Sequence, residues 1–207
     1  FSISDVGSII MNTAKNIKSS IDENGVATIT LDKERVRNAF DEEMINNLNT
    51  LILELSSNVI VRVIILTSVG DYFCAGADLK WMKKTAKFSF QENFEDAKIA
   101  ALLFKNISQS KKLIVAKVNG SAFGGGIGLI AACDIAITIS TAIFSLSEVR
   151  LGLIPSIISP YVIRSIGERQ AKRYMLTGEK FNAQRAVELG LVHKSVSPKD
   201  FDVTIKK

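Results

Sequence analysis

The sequence is poor in the residue types that bind metals or act as nucleophiles. Its 207 residues include one histidine and two cysteines. Cys74 and Cys133 are far apart and no Cys-x-x-Cys pair occurs, so a zinc site built from cysteine and histidine is nearly excluded. Two isolated thiols suit a reducing compartment. His193 follows a predicted helix, and we expect an exposed strand or turn residue there rather than a catalytic base.

Long apolar runs and a strong charge are also missing. The longest apolar candidate, residues 123–133, is mostly glycine and alanine and falls short of the roughly 20 residues that a membrane span needs. Residues 1–20 lack arginine and a long apolar stretch, which argues against a secretory signal. The composition, 47% hydrophobic and 23% charged, excludes a disordered chain. The net charge of +5 favours an anionic ligand without naming one.

What the sequence does contain is an alternation of strand and helix patterns. Because strands and helices alternate, the chain is predicted to form an α/β fold, and its length fits one domain. Apolar spacing and capping residues indicate helices over residues 41–55, 92–107, 124–132, 168–176 and 183–189. Apolar or β-branched runs predict strands over residues 26–31, 61–67, 113–118, 134–139 and 192–196.

Two segments repeat the same order of features. Residues 61–79 and residues 112–129 each run from a strand through a loop to small residues around a glycine, Gly76 or Gly125, and then to a helix start. Small residues let a ligand approach the backbone, and a helix start leaves N–H donors unpaired. Two such turns facing one point would make a two-donor anion hole. The alternative is that both are merely tight turns between strand and helix.

The sequence lacks complete motifs for nucleotide binding and for a serine nucleophile. Residues 126–131 match Gly-x-Gly-x-x-Ala, but seven residues separate the preceding strand from the first glycine, which disfavours dinucleotide binding. The glycines at 120 and 125 are not followed by Lys-Ser or Lys-Thr, so they form no P-loop. No Gly-x-Ser-x-Gly elbow occurs.

Glu148 is the acid with the most suggestive surroundings. It lies in Phe-Ser-Leu-Ser-Glu-Val-Arg-Leu-Gly-Leu-Ile-Pro, among apolar and small residues. A carboxyl group there would have a raised pKa and could move protons. The alternative is a surface glutamate paired with Arg150 or Arg164, and spacing alone favours that alternative.

Several longer motifs resemble those of a known family. They are Arg-Asn-Ala at 37–39, Phe-Cys-Ala-Gly-Ala-Asp-Leu at 73–79, Asn-Gly-Ser-Ala-Phe-Gly-Gly-Gly at 119–126, Ala-Cys-Asp-Ile at 132–135, Glu-Val-Arg-Leu-Gly-Leu-Ile-Pro at 148–155, and residues 178–192. In this order they resemble the crotonase, or enoyl-CoA hydratase/isomerase, superfamily over about residues 20–196.

The resemblance implies a ClpP/crotonase-type spiral of ββα units, an α/β fold. It divides the chain into an N-terminal extension (1–20), a crotonase core (21–178) and the start of an incomplete C-terminal helical region (179–207). It further implies an acyl-CoA thioester as partner, a homotrimer or dimer of trimers, and a bacterial cytoplasmic location, or the mitochondrial matrix in a eukaryote. No cofactor, metal or membrane is implied, because coenzyme A is part of the substrate, and nucleic acid is not an expected partner.

The same resemblance implies the roles of individual residues. Backbone N–H groups of Ala77 and Gly125 would polarise the thioester carbonyl, and Glu148 would transfer protons. The acyl-CoA path would be lined by Arg35, Arg37, Ala39, Ala75, Asp78, Leu79, Lys80, Phe123 and Gly124.

One position departs from the pattern of the two-glutamate hydratases. Those carry a first glutamate two residues beyond the glycine run and a second 20 residues later; here the first position is Gly128 and the second is Glu148. The sequence of residues 120–137 and 144–169 is most similar to bacterial methylglutaconyl-CoA or gamma-carboxygeranoyl-CoA hydratase-like members of the superfamily, which act in leucine and isoprenoid acid breakdown. The expected function is hydration of a branched 2-enoyl-CoA such as methylglutaconyl-CoA.

Three alternatives remain open. A single-glutamate enoyl-CoA isomerase would move a proton between carbons. A CoA-binding protein with little activity would explain the missing carboxylate. A basic RNA-binding protein has less support, because Lys18, Lys33, Arg35 and Arg37 are not interleaved with stacking aromatic residues.

Overall fold

The computed structural model describes residues 9–205. Residues 1–8 of the expected N-terminal extension and residues 206–207 of the expected C-terminal region lie outside the described residues. The strands are β1 (Ile9–Ala14), β2 (Ile17–Ile21), β3 (Val26–Leu31), β4 (Val63–Ser68), β5 (Tyr72–Cys74), β6 (Leu113–Val118), β7 (Ser121–Phe123), β8 (Ile135–Ile139), β9 (Ile143–Ser145), β10 (Phe181–Asn182) and β11 (Lys194–Val196).

Eight helices are distributed between these strands in the described part of the chain. They are α1 (Glu42–Ser57), α2 (Leu79–Thr85), α3 (Phe90–Ser108), α4 (Gly125–Ala132), α5 (Ser159–Ile166), α6 (Glu168–Thr177), α7 (Ala183–Leu189) and α8 (Phe201–Ile205). Short 3₁₀ helices cover Glu34–Val36 and Glu148–Leu151.

Two sheets organise the molecule. The larger has the strand order β1-β2-β3-β4-β6-β8-β11, antiparallel up to β3 and parallel from β3 to β11. The smaller has the order β10-β9-β7-β5, in which β9, β7 and β5 are parallel. Each of β4, β6 and β8 is followed by a short strand of the smaller sheet, which repeats one structural unit along the chain.

Local sequence explains the helix boundaries. Asp41 caps α1 by accepting a hydrogen bond at 3.0 Å from the Met44 amide, and the next two residues are acidic, which complements the helix dipole. Ser89 and Glu92 form a reciprocal capping box at the start of α3. The apolar faces of α1 and α3 pack against each other next to the sheet.

The turns after β4 and β6 are fastened to each other by polar side chains. The Asn119 amide oxygen accepts from the Ser68 backbone N–H at 3.2 Å and the Ser68 hydroxyl at 2.8 Å, while its nitrogen donates to the Gly70 carbonyl at 2.9 Å. The two repeats also approach closely at Gly120, where a Cβ atom would lie 2.2 Å from the Asp71 carbonyl oxygen. The two similar segments of sequence are therefore stacked neighbours.

The predicted helices and strands are present, with boundaries displaced by a few residues at most. Strands 26–31 and 113–118 and helix 183–189 match the structure residue for residue. The sequence patterns did not predict the smaller sheet, the helices α5 and α8, or the β1–β2 hairpin. The strands of the smaller sheet are two or three residues long, too short to show a period of two. The proposed domain division at residues 20 and 178 stays a prediction.

Candidate active site

A cavity of about 670 Å³ opens beside the two stacked turns. One wall comes from the segment that joins β3 to α1, another from the β5–α2 turn and a third from the start of α4. Residues of the segment after β9, between Ser147 and Ile158, complete the lining. Most of the lining is apolar, so a ligand bound there would be largely removed from water.

The two glycine turns meet backbone to backbone at this cavity. Gly76 has a φ of +87°, a conformation that favours glycine. A Cβ atom on Gly76 would lie 2.9 Å from the Phe123 carbonyl oxygen and 3.3 Å from the Gly125 nitrogen. The close approach of the two turns thus requires a residue without a side chain at position 76.

Two backbone amides at this junction lack an internal acceptor. Ala77 and Gly125 both line the cavity, and within residues 9–205 neither amide donates a hydrogen bond. The Gly125 amide is free because Gly125 is the first residue of α4, where no preceding turn supplies a carbonyl. Ala77 pairs with Phe40 as an isolated parallel bridge, in which the Gly76 carbonyl and Asp78 amide take the hydrogen bonds. The Ala77 amide consequently faces away from that bridge.

Glu148 lines the same cavity, at the start of a 3₁₀ turn. One carboxylate oxygen, Oε1, approaches Gly124 so closely that a Cβ atom there would be 3.0 Å away. The other, Oε2, is buried without a hydrogen-bond partner in the described part of the chain. Burial raises the pKa of Glu148 above its usual range.

In the described residues, Glu148 does not form the surface ion pair with Arg150 or Arg164 that was the alternative. Arg150 donates instead to the Gly178 carbonyl oxygen at 3.0 Å, and Arg164 donates to the Ser108 hydroxyl at 3.2 Å. Glu148 is thereby left as a half-buried acid that faces the cavity.

The structure brings nearly all of the predicted site residues together. The cavity lining includes Arg35, Arg37, Ala39, Ala75, Ala77, Asp78, Leu79, Lys80, Gly124, Gly125 and Glu148. Phe123 is placed elsewhere: its ring packs against Tyr72, with 6.2 Å between ring centroids, because β7 turns that side chain away from the cavity. Asp78 has a structural task as well, since its carboxylate caps α2 by accepting from the Lys80 amide at 2.7 Å.

The sequence patterns did not indicate the apolar part of the lining. It includes Phe40, Trp81, Met82, Ala100, Phe104, Leu151, Leu153, Ile154, Pro155, Ile157 and Ile158. Single apolar residues in helices and loops resemble core residues in a sequence, so position in the fold, rather than residue type, assigns them to the cavity. The one available signal was the continuation of the Arg-Asn-Ala motif into Phe40.

Gly128 lies on the buried side of α4, under the apolar wall. A Cβ atom there would lie 2.2 Å from Cγ2 of Ile158 and 2.9 Å from Cε1 of Phe104. The space that a side chain at position 128 would enter is therefore filled by these two residues.

The described residues give little support to a catalytic thiol, a catalytic histidine, a metal site or a membrane span. Burial raises the pKa of the Cys74 thiol to about 12, so it is not a thiolate at neutral pH. His193 is exposed, as expected, and its Nδ1 accepts from the Ala136 amide at 3.1 Å. Between residues 9 and 205 no group of three His, Cys, Asp or Glu side chains is placed to hold a metal ion. No helix among these residues is long and apolar enough to cross a membrane.

Comparison of the structure with solved structures defines the class of fold. The crystal structure of an enoyl-CoA hydratase from Shewanella pealeana is 42% identical in sequence and superposes with a TM-score of 0.89, covering 92% of this chain and 71% of that one. The repeated strand-turn-helix unit with a second, smaller sheet is thus a crotonase-type fold.

Sequence comparison then gives the family. The family described as enoyl-CoA hydratase/isomerase matches residues 22–205. An enoyl-CoA hydratase of Alternaria alternata is 39% identical over 173 residues, 82% of this chain and 55% of that protein. A short-chain-enoyl-CoA hydratase of Clostridium acetobutylicum is 32% identical over 190 residues, 89% of this chain and 70% of that protein. The chain belongs to the enoyl-CoA hydratase/isomerase family, and it spans little more than half the length of the Alternaria relative.

Proposed function

We propose that this chain forms the acyl-CoA site of an enoyl-CoA hydratase or isomerase, in which backbone amides stabilise a thioester enolate. The observation that carries the proposal is the pair of free amides, Ala77 and Gly125, on a cavity that also holds the half-buried carboxyl group of Glu148, whose Oε2 has no hydrogen-bond partner in the described residues. The thioester oxygen would accept hydrogen bonds from both amides, and negative charge that develops on it would be stabilised. Exposed Arg35, Arg37 and Lys80 would face the phosphates of CoA.

Glu148 is the proposed proton-transfer residue. Two acids line the cavity, and the Asp78 carboxylate is already held as a helix cap, so Glu148 is the acid left for chemistry. In a hydratase its carboxylate would take a proton from water as the oxygen bonds to C3, and the protonated Glu148 would return that proton to C2 as the enolate collapses. The raised pKa makes Glu148 a stronger base than an exposed glutamate.

Hydration of a branched 2-enoyl-CoA such as methylglutaconyl-CoA is the proposed reaction. Its support is the similarity of residues 120–137 and 144–169 to methylglutaconyl-CoA hydratase-like proteins. The proposal includes a homotrimer or dimer of trimers, no cofactor beyond the CoA of the substrate, and a bacterial cytoplasmic or mitochondrial matrix location. These parts rest on the family resemblance alone.

Isomerisation is the second candidate, and Gly128 favours it. A hydratase that divides proton transfer between two carboxylates needs an acid near this position, yet Ile158 and Phe104 fill the space. One carboxylate suffices to remove a proton from C2 of a 3-enoyl-CoA, which gives the enolate, and to return it to C4, which gives the conjugated 2-enoyl-CoA. The two reactions are separable by absorbance: hydration of crotonyl-CoA consumes the conjugated enoyl thioester, whereas isomerisation of a 3-enoyl-CoA produces it.

The variant Glu148→Gln tests the proposal directly. Glutamine keeps the size of the side chain but cannot accept the proton. We expect turnover of methylglutaconyl-CoA, crotonyl-CoA or a 3-enoyl-CoA to fall by about 10²–10⁴-fold, the usual contribution of general acid–base catalysis. Binding of the same thioester, measured by calorimetry, should change little.

Glu54→Gln is the matched control, because Glu54 is an exposed glutamate on α1 that does not line the cavity. It should have the turnover of the unchanged protein. Near-normal turnover by Glu148→Gln would contradict the assigned role. If the unchanged protein binds the thioester but does not turn it over, the proposed activity is wrong and the protein is a CoA-binding protein with little activity.

A further inference from the structure

Phe40 touches both halves of the proposed anion hole, one through its backbone and one through its ring. The Phe40 amide donates to the Gly76 carbonyl at 2.9 Å, and the Phe40 carbonyl accepts from the Asp78 amide at 2.9 Å. These two bonds hold the peptide that carries the Ala77 amide. The orientation of one free amide is thus set by hydrogen bonds to the Phe40 backbone.

The ring of Phe40 reaches the second free amide. A Cβ atom on Gly125 would lie 2.3 Å from ring atom Cζ, and 3.2 and 3.3 Å from Cε1 and Cε2. The tip of the ring therefore rests directly on the Cα of Gly125. Phe40 is 6% exposed and lines the cavity, so its ring also covers this part of the wall.

We propose that Phe40 is a positioning residue that fixes the separation of the Ala77 and Gly125 amides and keeps water from the oxygen they share. This inference rests on the proposed function of the two amides. With a smaller side chain, the start of α4 gains room to move and water gains access to the free amides. Both effects weaken stabilisation of the enolate oxygen more than binding of the ground state.

Acetoacetyl-CoA is the probe, because its enolate absorbs at longer wavelength than its keto form. We expect Phe40→Ala to bind acetoacetyl-CoA with an enolate signal reduced about tenfold or more. With crotonyl-CoA or a 3-enoyl-CoA as substrate, kcat should fall about tenfold to a hundredfold, less than the roughly 10²–10³-fold typical for complete loss of a donor. KM should stay within about twofold. Phe40→Leu, which fills part of the volume without reaching Gly125, should give an intermediate signal.

Phe181→Leu is the matched control for packing. Phe181 is also 6% exposed and packs on Phe144 and Tyr174, with ring centroids 5.6 and 4.6 Å away, outside the cavity lining. It should keep the full enolate signal per bound ligand. An unchanged signal and kcat in Phe40→Leu, or in Phe40→Ala where it folds, would overturn the inference about Phe40 alone. A wild-type protein that binds acetoacetyl-CoA without any enolate signal would overturn the proposed function and this inference with it.

Discussion

At the scale of single residues, the burial of Glu148 that suits it to proton transfer also lowers the free energy of unfolding at neutral pH. Burial raises the pKa of its carboxyl group in the folded protein, whereas the unfolded chain ionises it in the ordinary range. Below that range both states hold the proton and Glu148 has no effect on the free energy of unfolding. As pH rises through the ordinary and then the raised pKa, the folded state is penalised, and the penalty is complete above the raised value.

Glu148→Gln is therefore expected to increase the free energy of unfolding at about pH 7 while it lowers activity. The gain should shrink as the pH falls and vanish below about pH 4, near the pKa of an unperturbed glutamate. Urea denaturation of both proteins across this range measures the difference, with Glu54→Gln as the exposed control. A stability difference that is the same at every pH would show that desolvation of the carboxylate is not its cause.

Gly128 is a second residue at which local geometry decides the outcome of a substitution. Placing a glutamate there forces its Cβ against Ile158, 2.2 Å from Cγ2, so Gly128→Glu should destabilise the fold by about 1–3 kcal/mol or more. We expect it to gain no hydration of crotonyl-CoA. The double variant Gly128→Glu with Ile158→Ala removes the nearest obstructing atom, Cγ2, and leaves Cβ of residue 158 and Cε1 of Phe104 at 2.8 and 2.9 Å. It should therefore recover only part of the stability, as measured by urea denaturation. Full stability of the single variant would contradict this account.

At the scale of elements, the segment between β3 and α1 is held to the rest of the fold by Asn38. Asn38 is fully buried with a φ of +55°. Its amide nitrogen donates to the Val69 and Tyr72 carbonyls at 2.8 and 2.7 Å, and its oxygen accepts from the Lys33 amide at 2.9 Å. This segment carries Phe40 and the exposed arginines, so Asn38 ties the predicted CoA wall to the β4–β5 turn.

Asn38→Ala should lower the free energy of unfolding by about 3 kcal/mol, because two carbonyls and one amide lose buried partners. Denaturation by urea measures the loss, and Asn46→Ala, at an exposed position of α1, is the control. A change in Asn38→Ala as small as that of the control would mean that the segment is fixed by other contacts.

The elements also show why the sequence predicted one part of the structure and not another. The helix α1 carries a long periodic apolar pattern and the strand β6 a mostly apolar run, and both signals are local and visible in the sequence. The stacking of the two glycine turns was visible only as a repeated motif, and its closeness depends on backbone contact at Gly76. The side chain of Phe123 could not be placed from its motif, because a strand of three residues decides which way it faces.

At the scale of the whole molecule, the positive charge has a consequence for ligand binding. Arg35, Arg37 and Lys80 are exposed on the cavity rim, and none of them forms an ion pair within the described residues. Arg37 lies over the Tyr72 ring, 4.8 Å from its centroid. Unpaired charges at the surface attract phosphates through interactions that salt screens.

We expect the affinity for acetoacetyl-CoA to fall several-fold as salt rises from about 0.05 to 0.5 M, since the Debye length shortens from more than ten ångströms to a few. Calorimetric titration measures the change. Acetoacetyl-pantetheine, which lacks the phosphates, is the matched ligand and should bind independently of salt. Equal salt dependence for the two ligands would place the phosphates away from these cations.

The two proposed donors belong to the main chain, and this affects which experiments can detect them. An alanine scan deletes side chains and leaves every peptide N–H in place, so it would be blind at Ala77 and would report only steric conflict at Gly125. Homologues can likewise vary their side chains around the cavity while they keep the same pair of amides. Replacement of a single peptide amide by an ester through semisynthesis removes a donor without adding an atom, and it is the substitution to which such a site is most sensitive.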